Sequence, residues 1–205
     1  LDLLNNVTWL GHSSIRIIGV KTLYIDPFRI ESGPPADIIL ITHEHYDHFD
    51  PGSISKIRTP ETIVIAPLNI IRQLSGATRL IKPGEQIIID SIIIRAVPSY
   101  NIGKRYHPRE NQNVGYIIET NQLTYYHAGD TDLIPEIKKI QADVIFLPVG
   151  GTFTMDAAEA AQAAQEIRPQ VAVPIHWGTV CGTRADAEKF VRLAHCKAVI
   201  LNKGK

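Results

Sequence analysis

The stretch DIILITHEHYDH, residues 37–48, joins an almost unbroken apolar run to a cluster of histidines. Continuous apolar character over Asp37–Thr42 is what a strand covered on both faces requires. The run ends directly in His43, His45, Asp47 and His48, four side chains able to bind a metal within six residues. In extended backbone, residues two apart point the same way, so His43 and His45 can grip one ion. Asp50-Pro51 supplies a helix cap followed by proline at the first helical position, which predicts a short helix over Gly52–Arg58. As the chain turns toward that helix, Asp47 and His48 can face a second ion.

Outward from this stretch, short Ile- and Val-rich segments alternate with Gly, Pro and Asp turns. The pattern predicts strands at Val7–Trp9, Ser14–Ile18, Thr22–Ile25, Thr62–Ala66, Gln86–Ile89 and Ile92–Val97. In the second half it predicts a hairpin of Val114–Glu119 with Leu123–His127, and strands at Val144–Pro148, Val171–Ile175 and Ala198–Leu201. Helices are expected at Ile134–Ile140, at Ala157–Ile167 behind an Asp156/Glu159 capping box, and from Thr183 or Asp186 to about His195. The two halves, split near Pro98, each read as a sheet with helices on one side.

Three further predicted strands end in a residue with ligand chemistry. Leu123–His127 runs into a Gly-Asp turn that could present Asp130 as a bridge between two cations. Val171–Ile175 ends at His176, and Thr22–Ile25 at Asp26. Ligands of layered α/β folds gather outside the carboxyl ends of strands, so these ends imply one shared rim. The irregular segment Ser99–Asn113 reads either as a solvated excursion or as a lid, and in the second reading its Lys104, Arg105 and Arg109 are expected to act on an anionic substrate.

Composition limits the partners. The chain of 205 residues carries 21 Lys+Arg against 21 Asp+Glu, so it has no global field for nucleic acid, and no aromatic-basic face suggests one. The opening LDLLNNVTWLGHSS has no basic stretch leading an apolar run, and no run of 18 apolar residues occurs, so no membrane insertion is expected. Two widely spaced cysteines, Cys181 and Cys196, read as free thiols and fit a cytoplasmic location. Oligomeric state has no sequence signal.

With His43, His45, Asp47, His48, Asp130, His176 and Asp26 in place, the sequence resembles the metallo-β-lactamase fold superfamily of metal-dependent hydrolases. The opening Trp9-Leu10-Gly11-His12-Ser13-Ser14 narrows the resemblance toward ascorbate-6-phosphate lactonases and phospholipase D-like phosphodiesterases. The resemblance implies one domain over residues 1–205, of α/β (α+β) class: a four-layer αββα sandwich of two mixed sheets flanked by helices. It also implies two divalent ions in the groove between the sheets, zinc first, with manganese or iron as alternatives. Family members carry a further histidine ligand where this chain has Ser99-Tyr100-Asn101. His107 on the same loop is the expected replacement, with His12 and His127 as rivals, and Asn101 is expected to support the ligands or to touch substrate.

The chemistry expected of such a site is hydrolysis of an ester, lactone or phosphodiester of a small anionic molecule. Two ions would bridge a hydroxide nucleophile, and Asp47 would orient it or carry a proton. The competing readings are an iron-dependent oxidoreductase on the same fold and a metal-binding regulator without catalysis.

Overall fold

The computed structural model describes residues 3–204. Twelve strands form two six-stranded mixed sheets among these residues. The first sheet has the order β1 (Val7–Gly11), β2 (Ser14–Ile18), β3 (Thr22–Ile25), β4 (Ile38–Leu40), β5 (Ile63–Ala66) and β6 (Thr78–Leu80). Its first three strands pair antiparallel and the rest parallel. The second sheet has the order β12 (Val171–Ile175), β11 (Val144–Pro148), β10 (Leu123–His127), β9 (Val114–Thr120), β8 (Ile92–Pro98) and β7 (Gln86–Ile89). Here β10, β11 and β12 run parallel, and the remaining pairs antiparallel.

Strand periodicity explains the layering. On β4, Ile38 and Leu40 join the core shared with the second sheet, whereas Ile39 joins a separate cluster under the helices on the other side. The helices there are α1 (Pro51–Ile57), which contributes Ile54 and Ile57, and the single turn α2 (Leu68–Ile71), which contributes Ile70. Burial on both faces is what the continuous apolar run anticipates. Behind the second sheet, α3 (Ala157–Ile167) lies close because Ala157, Ala160, Ala161, Ala163 and Ala164 form its buried face. Its capping box forms as expected, with Asp156 accepting from the Ala158 and Glu159 amides at 2.7 and 2.9 Å. The last helix, α4 (Arg184–Leu193), buries Ala187 and Phe190. The result is the expected sandwich of two mixed sheets flanked by helices.

Several expectations need correction. The sheets change over between Leu80 and Gln86, not near Pro98, because β7 and β8 form a hairpin that continues onto β9. Ala198–Leu201 forms no strand: it makes one parallel bridge, Ala198 to Ala172, at the edge of β12. The short helix expected at Ile134–Ile140 forms, as a 3₁₀ segment over residues 135–139. β6 and α2 were not foreseen; each is only one turn or three residues of regular structure.

Two cross-sheet hydrogen bonds hold the end of β4 against β9: Tyr116 Oη donates to the Ile41 carbonyl at 2.7 Å, and the Val114 amide donates to the Thr42 carbonyl at 3.1 Å. The segment that begins at His43 therefore leaves the sheet in a fixed direction, into the groove between the two sheets. No described helix is long and apolar enough to cross a membrane.

Candidate metal centre

The ends of β3, β4, β10 and β12, the β1–β2 turn and the loop after β8 meet at this groove. Three of the residues that they place there, His12, Asp26 and His176, have positive φ values of 51, 46 and 59°. Such backbone is uncommon for residues other than glycine and is tolerated where the surroundings enforce it. Here each turn aims a polar side chain back over the strand end.

Three overlapping sets of side chains bring ligand atoms within 4.8 Å of one another: His43, His45 and His107; His43, His48 and Asp130; and His12, Asp47, His48 and His176. In the first set, His45 Nδ1 lies 3.1 Å from His43 Nε2 and 3.0 Å from His107 Nε2. In the last set, Asp47 Oδ2 lies 2.9 Å from His12 Nε2, 3.6 Å from His48 Nε2 and 3.8 Å from His176 Nε2. Asp130 sits between the sets. Its Oδ1 is 3.2 Å from His48 Nε2, and its Oδ2 is 3.0, 3.5 and 3.9 Å from the Nε2 atoms of His176, His107 and His43.

Supporting hydrogen bonds determine which nitrogen of each ring is free. His107 Nδ1 faces Asn101 Oδ1 at 3.0 Å and the Phe153 carbonyl at 3.2 Å, both acceptors, so Nδ1 carries the proton. His48 Nδ1 donates to Asp26 Oδ2 at 2.7 Å. Thr42 Oγ1 donates to the same carboxylate at 2.7 Å, which leaves it as acceptor for His43 Nδ1 at 3.0 Å. His176 Nδ1 pairs with Cys181 Sγ at 3.2 Å. Each of these four rings thus turns an Nε2 toward Asp130, the arrangement that an outer ring of partners imposes on metal-ligating histidines. Nε2 of His48, Nε2 of His176 and Oδ1 of Asp130 are buried and lie close to one another, yet none makes a well-aligned hydrogen bond, which native interiors rarely permit. Converging orphaned donor atoms with nitrogen and oxygen chemistry fit divalent metal ions.

The electrostatics agree. Burial opposes ionisation of Asp130, but His176 and His48 beside it hold the carboxyl well below its usual range. Burial would likewise lower His176, yet Asp130 outweighs it and raises the imidazole to about 9. In a metal-free chain, protons on these rings occupy the place a cation would take. His43, buried and next to His48, is held well below the ordinary histidine value.

The other expected residues separate by role. His107, the expected substitute for the family histidine, is brought to His45, while its rival His127 is not: His127 Nε2 is bonded to the Ser13 carbonyl at 2.8 Å and Nδ1 accepts from the Gly129 amide at 3.2 Å. Asn101 orients His107, and Asp26 orients His48. The loop cations are mostly engaged elsewhere. Lys104 Nζ donates to Asp132 at 2.6 Å and to the Thr154 carbonyl at 2.8 Å, and Arg109 pairs with Glu136 at 2.9 Å, so both anchor the loop. Arg105 stays exposed over the Tyr106 ring. Sequence reasoning missed Thr42, Cys181 and Asp132; Thr42 lay inside the deciding stretch, but nothing marked the other two.

Comparisons with known proteins point to one family. Residues 6–176 match the family described as Beta-lactamase superfamily domain. A UPF0173 metal-dependent hydrolase of Pyrococcus horikoshii is 34% identical, with 97% of each chain covered. A crystal structure from Parabacteroides distasonis, described as a provisional metal-dependent hydrolase, is 32% identical with a TM-score of 0.86, covering 97% of this chain and 93% of that one. Igni18, a metallo hydrolase of Ignicoccus hospitalis, shares the fold at 23% identity and a TM-score of 0.80, over 97% of this chain and 95% of its own. With its two mixed sheets, its strand-end histidines and these relatives, the chain belongs to the metallo-β-lactamase fold superfamily and, within it, to the UPF0173 metal-dependent hydrolases.

Proposed function

We propose that this chain is a hydrolase with two divalent ions, zinc in the first instance, acting in the cytoplasm on an ester, lactone or phosphodiester of a small anionic molecule. The observation that carries the reading is the set of four Nε2 atoms turned toward the single carboxylate of Asp130. His43, His45 and His107 would hold one ion, Asp47, His48 and His176 the other, and Asp130 would serve both. When bound, such a pair of ions supplies a hydroxide nucleophile at neutral pH and polarises the bond to be broken.

The remaining work falls to side chains of the chain. Asp47 is ionised, because the hydrogen bond from His12 and the proximity of His48 outweigh its burial and bring its carboxyl down to about 2. It can therefore accept a hydrogen bond from the attacking water through the oxygen not bonded to His12, and so orient it. Asp26, Thr42, Asn101 and Cys181 hold the rings in place, so little reorganisation is needed as substrate arrives. Arg105 is the loop cation left to meet an anionic group. The reading is tested by stripping the purified chain with a chelator, restoring zinc, and assaying a chromogenic phosphodiester and a lactone. Hydrolysis that returns with zinc and disappears in Asp47→Ala is expected. Turnover indifferent to chelation, or a chain that takes up no metal, refutes it.

A further inference from the structure

His12 belongs to the last set of ligand atoms, yet its surroundings differ from those of every other histidine there. It is 1% exposed, in the left-handed backbone region, with its ring centre 4.1 Å from that of His176, 5.8 Å from His48 and 5.9 Å from Phe28. Its Nε2 lies 2.9 Å from Asp47 Oδ2. Its Nδ1 is buried without a partner, whereas His43, His48, His107 and His176 each give Nδ1 to a neighbour. An imidazole ligating through Nε2 would carry its proton on Nδ1, and here that N–H would be buried with no acceptor. A proton on Nε2 instead makes a charge-assisted bond to Asp47 and leaves only a lone pair at Nδ1. The main chain of His12 is engaged as well: its carbonyl accepts from Trp9 Nε1 at 2.8 Å and from the His176 amide at 2.9 Å.

We infer that His12 is a positioning residue, not a ligand: its side chain fixes Asp47 and its carbonyl seats His176, so that one residue aligns two ligands of the same ion. This rests on the reading of Asp47, His48 and His176 as a metal site. It gives the Gly-His pair of the opening turn a defined purpose. Gly11, with a φ of 108°, makes the turn that puts His12 beneath the site.

The test is cobalt binding, followed by competition with a chelator and by the visible d–d spectrum, in wild type, His12→Ala, His12→Asn and His12→Gln. In His12→Ala, the second equivalent is expected to weaken by about 10- to 100-fold while the first is unaltered. Gln, whose amide N–H reaches about as far as Nε2, should restore most of that affinity. Asn suits the left-handed backbone but is too short, so it should melt like wild type and bind like Ala. The spectra of the fully loaded variants should match wild type, because no coordinated nitrogen is lost. Unaltered binding in Ala and Asn would make His12 a packing residue and overturn the inference. A Gln variant as weak as Ala, with a spectrum that has lost a nitrogen donor, would make it a ligand and overturn it equally. A wild-type chain that takes up a single equivalent removes the two-ion reading and this inference together, an outcome distinct from two wild-type equivalents indifferent to His12.

Discussion

Asp26→Asn exchanges one oxygen for an amide nitrogen at a fully buried position, and the consequence can be followed atom by atom. Oδ1, which accepts from the Thr42 amide at 2.8 Å, can be kept by the Asn carbonyl. Oδ2 accepts from both Thr42 Oγ1 and His48 Nδ1 at 2.7 Å, and an NH₂ group there confronts His48 with a donor. His48 can then remain in place only by moving its proton to Nε2, the atom 3.2 Å from Asp130 that the second ion requires. His43 is less affected, since Thr42 Oγ1 still accepts from its Nδ1. Loss of such an outer partner typically weakens metal binding by about 10- to 100-fold, equivalent to about 1.4–2.8 kcal/mol. The measurement is a zinc titration against a competing chelator, with the melting temperature of the metal-free variant as control for folding. One weakened equivalent and one unaltered is the expected result. Two wild-type affinities in a folded variant would refute the argument that Asp26 sets the His48 tautomer.

Asp130→Asn should weaken both equivalents, because its carboxylate faces rings of both sets, and isothermal titration that leaves either site unaltered would place it outside the centre. Lys104→Ala should lower stability by about 1–2 kcal/mol, as expected for a hydrogen-bonded and partly exposed charge pair, with KM little altered; a raised KM at unaltered melting temperature would return Lys104 to the substrate. The melting temperature of the metal-free chain should fall as pH rises from about 6.5 to 9. The reason is that Asp130 outweighs burial to raise His176 to about 9, so the protonated ring stabilises the fold fully below the unfolded value and loses that effect on approach to the folded one. The increment gained on adding zinc should rise over the same window, since ligation releases those protons; parallel profiles with and without metal would contradict this.

The strands other than β6 were legible because one face or both faces of each had to be apolar, and the residue pattern records that directly, whereas β6 buries no apolar face. The ligand cluster was legible for a related reason: His43, His45, Asp47 and His48 are neighbours in sequence at the end of such a strand. His107 could be anticipated from chain reach alone, and the Asn101 amide bonding to the His107 carbonyl at 2.8 Å shows how the loop folds back. The functions of Lys104 and Arg109 could not be read, since their partners Asp132 and Glu136 lie on another connection and exposed cations look alike in sequence. The same holds for Cys181, whose contact with His176 depends on the glycine at position 150, where a Cβ would meet the sulfur at 2.7 Å. Ala198–Leu201 had strand composition but only an edge to pair with, and packing decided against it.

The central claim is that the groove holds two ions sharing Asp130. It is tested most directly by anomalous diffraction from crystals of the zinc-loaded chain, recorded on both sides of the zinc edge. Two peaks are expected, one among His43, His45 and His107 and the other among Asp47, His48 and His176, with Asp130 in contact with each. A single peak, or two that leave Asp130 without contact to one of them, would contradict the account.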